Sequence, residues 1–327
     1  MKIAVGVVSP ESAWVLPRRF VPLLRSQFPQ HEFLEAWDRA SLREILPRAD
    51  VAFAAFVDKD LVPSLDTLKW VQAPAVGVGH ILSAEFVASP IVLTTARGVR
   101  ARAIAEHVIA VTFALARLLP LTIQRQLASQ WSLEEIENSG RVRTMLGKRM
   151  GLVGLGAIGT EVATLASACG FRVSAVRKRA DRPVPGGVED VLPADRLHEL
   201  LGRSDVIVLC AAQTPDTNEL IDAAALAAAK PGAFLVNVAR GRILNDAALV
   251  AALANGRLGG AALDVFTREP LPPDSPYWTA PNVIVTPHSS GTMEDYWTPL
   301  VALFADNLRR FERGRPLLNV VDKAAGY

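Results

Sequence analysis

Cysteine is scarce in this sequence. There are two in 327 residues, Cys169 and Cys210, both in apolar runs and with no CxxC spacing. That excludes a disulfide framework and points to a reducing, cytoplasmic compartment. Excess charge of one sign is missing too: 35 Lys and Arg against 33 Asp and Glu leave a net charge of +2. So small an excess gives no reason to expect a nucleic-acid or membrane surface. Nor is there a long unbroken apolar run. "MKIAVGVVSPES" at the N-terminus is too short for a secretory core and reads as a first buried strand. "HVIAVTFALARLLPLTI" is interrupted by Arg117 and Pro120 and falls short of a membrane span. Low-complexity segments and fixed-period repeats are also absent. What the chain does have is length, with half its residues apolar. Such a chain suits about two domains, with cores large enough to need neither disulfides nor a metal.

Residues 1 to about 98 alternate short apolar runs with amphipathic stretches. "KIAVGVV", "VAFAAF", "KWVQAPAV" and "IVLTTA" read as strands; "RRFVPLLRSQF" and "SLREIL" read as helices between them. This alternation predicts βαβ units and a parallel sheet. The segment 101–131 is long, apolar and free of glycine. It predicts one helix or two, with a break near Pro120, and more apolar surface than a single stripe supplies. A second βα series begins at "KRMGLVGLGAIG", with strands at "GLVGL", "RVSAV", "DVIVLCAA", "AFLVNVA", "GGAALDVF" and "VIVTP". Helices are expected at 157–169, 245–254 and about 292–313. The predicted class is α/β, with two doubly wound parallel-sheet domains. A Rossmann-type cofactor domain, 99–290, is inserted in a discontinuous, flavodoxin-like substrate domain made of 1–98 and 291–327.

"GLVGLGAIGTEVA" contains Gly154-x-Gly156-x-x-Gly159 between a buried strand and a helix, the context in which this pattern binds a dinucleotide. Gly154 permits the tight turn, Gly156 the approach of a pyrophosphate and Gly159 the packing of helix on strand. The N–H groups near Ala157 and Ile158 then face the phosphates. After the next strand, where an NAD-binding protein carries an acid for the ribose hydroxyls, stand Arg177, Lys178 and Arg179. A carboxylate repels a 2′-phosphate and a guanidinium pairs with it. The cluster therefore predicts NADP(H) as the preferred cofactor and leaves room for NAD(H); the alternative is a solvated basic turn.

Three later stretches, "NVARGRILND", "DVFTREPLP" and "VTPHSSGT", bring Arg240, Glu269 and His288 to expected strand ends. An arginine can clamp a 2-keto acid and polarise its carbonyl. A histidine can donate the proton, and a carboxylate beside it favours the imidazolium form. Taken singly, each of the three is as readily a structural residue of its turn.

Together with "LKWVQAPAVGVGH" (68–80), "RGVRARAIAEH" (97–107), "GLGAIG", "QTPDTNELI" (213–221), "LVNVARGRILND" (235–246), "ALDVFTREPLP" (262–272) and "NVIVTPHSSG" (282–291), these stretches make the chain resemble the D-isomer-specific 2-hydroxyacid dehydrogenases along nearly its whole length. The resemblance implies a catalytic set of Arg240, Glu269 and His288. It implies substrate carboxylate binding at the amides of Val76 and Gly77, together with Arg240 and His288. It places Asp264 near the nicotinamide and Thr214, Val238 and Gly291 along the cofactor cleft. Trp131 falls where the family borders its active site or subunit interface, and 101–131 implies a homodimer. The cation cluster is most similar to the glyoxylate/hydroxypyruvate reductase branch, implying an NADPH-dependent reductase of small 2-keto acids that gives D-2-hydroxy acids. The alternatives are an NAD-dependent branch of the D-lactate or phosphoglycerate type, or a nucleotide-sensing scaffold like the co-repressors of this fold. Arg100 and Arg102 stand where smaller or hydroxylated residues are usual, and "HSSGT" departs from the usual stretch after the histidine. His107 is expected to pack in its helix, Glu106 to serve as a helix or interface partner, and Val76, His80, Arg100 and Trp297 to shape the substrate pocket.

Overall fold

The computed structural model describes residues 1–8, 15–179 and 181–326. Ser9 and Pro10, which bound the first apolar run, lie outside the described residues. The chain divides into two compact units. One contains Met1–Val99 and Glu294–Tyr327, the other Arg100–Met293.

The first unit begins with β1 (Lys2–Gly6), α1 (Phe20–Gln27), β2 (Glu32–Glu35), α2 (Arg39–Ile45), β3 (Val51–Ala54), β4 (Trp70–Gln72), α3 (Ala84–Ala88) and β5 (Val92–Thr94). Its five strands pair in parallel in the order β2-β1-β3-β4-β5, the flavodoxin-like order. All four residues of β3 are buried, which is why "VAFA" reads as an unbroken apolar run: a central parallel strand is covered on both faces. β2, "EFLE", was not among the predicted strands. It lies at the sheet edge with only Phe33 buried, so its polar composition masks it. At α2, Asp38 and Ser41 form a reciprocal cap, with Ser41 N–H donating to Asp38 Oδ1 at 2.8 Å, satisfying an amide that the first turn leaves without a helical partner.

The second unit opens with α4 (Ala101–Ala116), α5 (Leu119–Leu127) and α6 (Leu133–Asn138). The expected break falls at Leu118, whose φ of 55° is left-handed, and Pro120 sits in the first turn of α5, where a missing N–H is tolerated. The two helices are bent by 71°, and no single helix among the described residues is long and apolar enough to cross a membrane. The buried face of α4 includes Ala105, Val108 and Leu115 and joins a core with Met150, Val162 and Val206. Then come β6 (Arg149–Val153), α7 (Ala157–Ala168), β7 (Arg172–Val176), β8 (Asp190–Leu192), α8 (Leu197–Arg203), β9 (Val206–Leu209), α9 (Ala223–Ala228), β10 (Ala233–Asn237), α10 (Asp246–Ala254), β11 (Leu258–Leu263) and β12 (Val283–Val285). The seven strands are all parallel, in the order β12-β11-β10-β9-β6-β7-β8. The direction of winding reverses between β6 and β9, the position at which doubly wound sheets bind ligands beyond their carboxyl edge.

The last helix, α11 (Trp297–Glu312), starts later than the expected 292 and belongs to the first unit. Its Phe304 stacks on Phe53 and Trp70 at 4.8 and 5.5 Å between ring centres. Asn307 is fully buried and satisfied: its Nδ2 donates to Gln72 Oε1 (3.1 Å) and its Oδ1 accepts Leu318 N–H (2.7 Å). The segment after it adds an antiparallel bridge from Val320 to Thr94 of β5.

Candidate active site

The glycine-rich turn, the cation cluster and the catalytic candidates of the second unit all follow the carboxyl ends of strands. β6 runs into Gly154–Gly156, and α7 starts with Gly156 as its cap. Gly154 has a φ of +103°, and a Cβ there would lie 2.7 Å from Ala211 N, so the turn demands glycine. A Cβ on Gly159 would lie 2.5 Å from Gly154 O, whereas one on Gly156 would meet nothing within 4 Å. The outer glycines are packed tight and the middle one borders open space, the arrangement that admits a pyrophosphate to the first turn of a helix. Ala157 and Ile158 open that helix, with amides that have no partner inside it. The local geometry therefore fits a dinucleotide. Cys210 closes the turn from behind, its thiol donating to Gly154 O at 3.0 Å. Burial pushes that thiol up to about 12.

The three cations after β7 are not equivalent. Arg177 turns its guanidinium into its own loop and donates to the carbonyls of Arg182 and Pro183. Lys178 extends to Asp216, with Nζ 3.0 Å from Oδ2. Arg179 is exposed. Thr214 caps the short turn Pro215–Thr217, its N–H donating to Thr217 Oγ1 at 2.7 Å.

The catalytic candidates sit on the neighbouring strands. His288, two residues beyond Thr286 and with a left-handed φ of 52°, donates from Nδ1 to Glu269 Oε2 at 2.8 Å. The other oxygen of Glu269 accepts Phe266 N–H at 2.9 Å, so the carboxylate is fixed at both ends. Half of the His288 side chain remains exposed. Arg240 is exposed past the end of β10 and donates to Ala239 O at 2.6 Å. Its turn is organised by Asn237, fully buried, which accepts Ala239 N–H (3.1 Å) and donates to Arg240 O (3.2 Å). Gly241 allows that turn to lie against the chain after β11: a Cβ on it would fall on the backbone of Phe266 and Thr267. Arg240, Glu269 and His288 thus share one edge of one sheet.

Asp264 was expected beside the nicotinamide. It is 1% exposed, and both its oxygens serve the loop that carries His288. Oδ1 accepts from Thr286 Oγ1 (2.6 Å), Ser289 N (2.8 Å) and Ser290 N (3.1 Å), and Oδ2 from Ser290 N (3.0 Å). The backbone amides of Ser289 and Ser290 in "HSSGT" thus grip this acid. His107, on α4, is half-buried; burial lowers its pKa, opposed by the charge of Asp264. Arg102 pairs with Glu106 and Glu161 on the surface. A Cβ on Gly291 would come within 3.1 Å of Arg100 Cδ. Val238 is buried directly after β10. Asn237, Thr286, Ser289 and Ser290 were missed by sequence reasoning; a lone amide inside the apolar run "FLVNVA" was the available signal for the first.

In the first unit, Val76 and Gly77 are exposed in the loop after β4. Tyr296 donates its hydroxyl to Pro74 O, holding that loop from the start of α11, and Trp297 packs edge-on against Tyr296. A hollow of about 170 Å³ lies at this end of the sheet, bounded by Val8, Phe56, Pro74 and His80 among others. His80 Nε2 donates to Ala55 O at 2.8 Å and its ring stands edge-on to Phe56.

Residues 109–290 match the family model for the D-isomer specific 2-hydroxyacid dehydrogenase NAD binding domain. Glycerate dehydrogenase of Methylorubrum extorquens is 32% identical over 307 residues, 90% of this chain and 93% of that protein. The (S)-sulfolactate dehydrogenase of Chromohalobacter salexigens is 34% identical over 257 residues, 78% of this chain and 81% of that protein. Among solved structures, the NADPH-dependent glyoxylate/hydroxypyruvate reductase of Sinorhizobium meliloti, in complex with NADP and sulfate, superposes with a TM-score of 0.78. It is 28% identical, and the match covers 100% of this chain and 99% of that one.

Proposed function

Because the chain belongs to the D-isomer specific 2-hydroxyacid dehydrogenase family, we propose that it is an NADPH-dependent reductase of small 2-keto acids of the glyoxylate/hydroxypyruvate type, yielding D-2-hydroxy acids. The observation that carries the reaction is the His288 Nδ1–Glu269 Oε2 bond of 2.8 Å, on the same sheet edge as Arg240. Arg240 pairs with the substrate carboxylate and polarises the adjacent carbonyl. His288, with Nδ1 held by Glu269, donates its proton from Nε2 to the carbonyl oxygen as that oxygen gains charge. Glu269 stabilises the imidazolium and fixes the ring. The reduced nicotinamide supplies the hydride when bound. Preference for NADPH is supported by cations, with no acid among them, directly after β7, and by the coenzyme named for the Sinorhizobium meliloti enzyme.

The working form is a homodimer through 101–131. α5 buries none of its residues, and Ile123, Leu127 and Trp131 are 53, 82 and 93% exposed, an apolar surface of the kind that marks an interface.

The test is a panel of 2-keto acids run with both reduced coenzymes. The expected result is the highest kcat/KM for glyoxylate or hydroxypyruvate with NADPH. His288→Asn should cost about 10²–10⁴-fold in kcat while coenzyme affinity is retained. Wild-type turnover in His288→Asn would refute the assignment. A preference for NADH would reject the coenzyme reading and leave the chemistry standing.

A further inference from the structure

The ion pair between Lys178 and Asp216 joins two loops that the sheet keeps apart. Lys178 follows β7 and Asp216 follows β9, while β6 and its glycine-rich turn lie between them in the sheet. The pair therefore spans the end of β6, on the edge where the helix N-terminus and the open face of Gly156 fit a dinucleotide. Arg177, which by position is the first candidate for a 2′-phosphate, is occupied with the carbonyls of Arg182 and Pro183. Its neighbour Lys178 reaches over the edge, and its carboxylate partner comes from the opposite loop.

We propose that Asp216 is a specificity-determining residue that competes with the coenzyme 2′-phosphate for Lys178, so that the Lys178–Asp216 pair works as a latch across the adenosine end of the site. This rests on the reading that the cations after β7 select NADPH. The chemistry is a balance of charges. Both side chains are largely exposed, 78 and 73%, and such a pair is weak enough to open. A phosphomonoester near neutral pH carries more negative charge than one carboxylate, so it displaces Asp216 from Lys178. The displaced carboxylate stays nearby and repels the phosphate through water and salt. NADH has no group to open the pair and binds beneath it. Asp216 thus tempers the preference that Lys178 creates.

The experiment measures equilibrium Kd for NADPH and NADH by coenzyme fluorescence, on the full-length protein, in the wild type, Asp216→Asn and Lys178→Gln. Asp216→Asn should tighten NADPH about threefold to tenfold, an effect of one exposed charge on a nearby phosphate, with NADH changed by less than about twofold. Lys178→Gln should weaken NADPH and leave NADH in place, and the gain from Asp216→Asn should shrink in the double variant, as expected for residues that interact. Raising the salt concentration should shrink it as well. Equal shifts for both coenzymes in Asp216→Asn, or no shift, would overturn the latch. The wild-type comparison judges the underlying reading separately. Tighter NADH than NADPH in the wild type rejects the NADPH assignment, and an NADPH-specific gain in Asp216→Asn still upholds the competition.

Discussion

Removing Asp264 should separate holding the catalytic loop from holding the coenzyme. Its carboxylate is buried and accepts from three donors, Thr286 Oγ1 and the amides of Ser289 and Ser290, at 2.6–3.1 Å. Hydrogen bonds to a charged group contribute about 1.5–3 kcal/mol each, and stranding buried donors adds their desolvation. With three such bonds lost, Asp264→Ala should therefore destabilise the protein by roughly 4.5–9 kcal/mol, comparable with the roughly 5–15 kcal/mol of a whole folded protein. Asp264→Asn is the finer probe. Its carbonyl can still take the bonds made to Oδ1, while its amide group would face the Ser290 N–H that now donates to Oδ2. The expected loss is about 1–3 kcal/mol. The loop so loosened is the one that sets His288 against Glu269, and a shift near 1 Å at a reacting group can cost about 10²-fold. Urea unfolding, kcat and NADPH Kd should be measured on the same preparations. Asp264→Asn should lower kcat by one to two orders of magnitude and change Kd by less than about threefold. The His288 imidazole resonances should shift as its contact with Glu269 loosens. If Asp264→Asn instead weakens NADPH strongly and leaves stability and the His288 resonances unchanged, the acid serves the coenzyme, and its role as loop anchor is wrong.

Thiol labelling near neutral pH should show one fast and one slow cysteine. Cys169 is exposed, whereas the thiol of Cys210 is pushed up to about 12 and bonded to Gly154 O; two equal rates would contradict the buried turn. Leu127→Glu combined with Trp131→Glu should halve the mass seen by sedimentation at micromolar protein, since both side chains lie exposed on an apolar surface; an unchanged mass would place the interface elsewhere. His107 makes stability depend on pH. Burial lowers its pKa from 6.5, so the unfolded chain binds the proton more readily, and this contribution is lost as pH falls below about 6.5. His107→Gln should flatten that part of the stability profile, and an identical acid limb in both proteins would assign the loss to other groups.

The two sheets were legible because most of their strands are central. A parallel strand covered on both faces must be apolar throughout, and "VAFA" or "VIVL" between turn signals admits little else. β2 and β8 escaped for the converse reason. Each is a short edge strand, "EFLE" and "DVL", with one buried residue, so its pattern is that of a solvated loop. The break in 101–131 was visible through Pro120, yet the kink itself is a left-handed Leu118, a conformation that no residue type announced.

At the candidate site the residue types that do chemistry stood out because chemistry restricts them. Their supports did not, since an amide, a serine or an aspartate has many uses. Asn237 shapes the Arg240 turn from inside an apolar strand. Asp264 was read through resemblance as a coenzyme contact, and the structure gives its oxygens to the loop behind His288. The cation cluster is the sharpest instance. Arg177, Lys178 and Arg179 are interchangeable as letters, but one braces its own loop, one bridges to Asp216 and one stands exposed. A charge's position in the chain fixes which loop it starts from. Which partner it reaches depends on the strand order, because the observed order β7-β6-β9 brings Lys178, after β7, to Asp216, after β9. Replacing Arg177 to test coenzyme choice would therefore disturb the loop as well as the charge. Lys178 and Asp216 are the cleaner pair to change, because both are largely exposed and their loss leaves the backbone carbonyls of 182 and 183 in place with their donor.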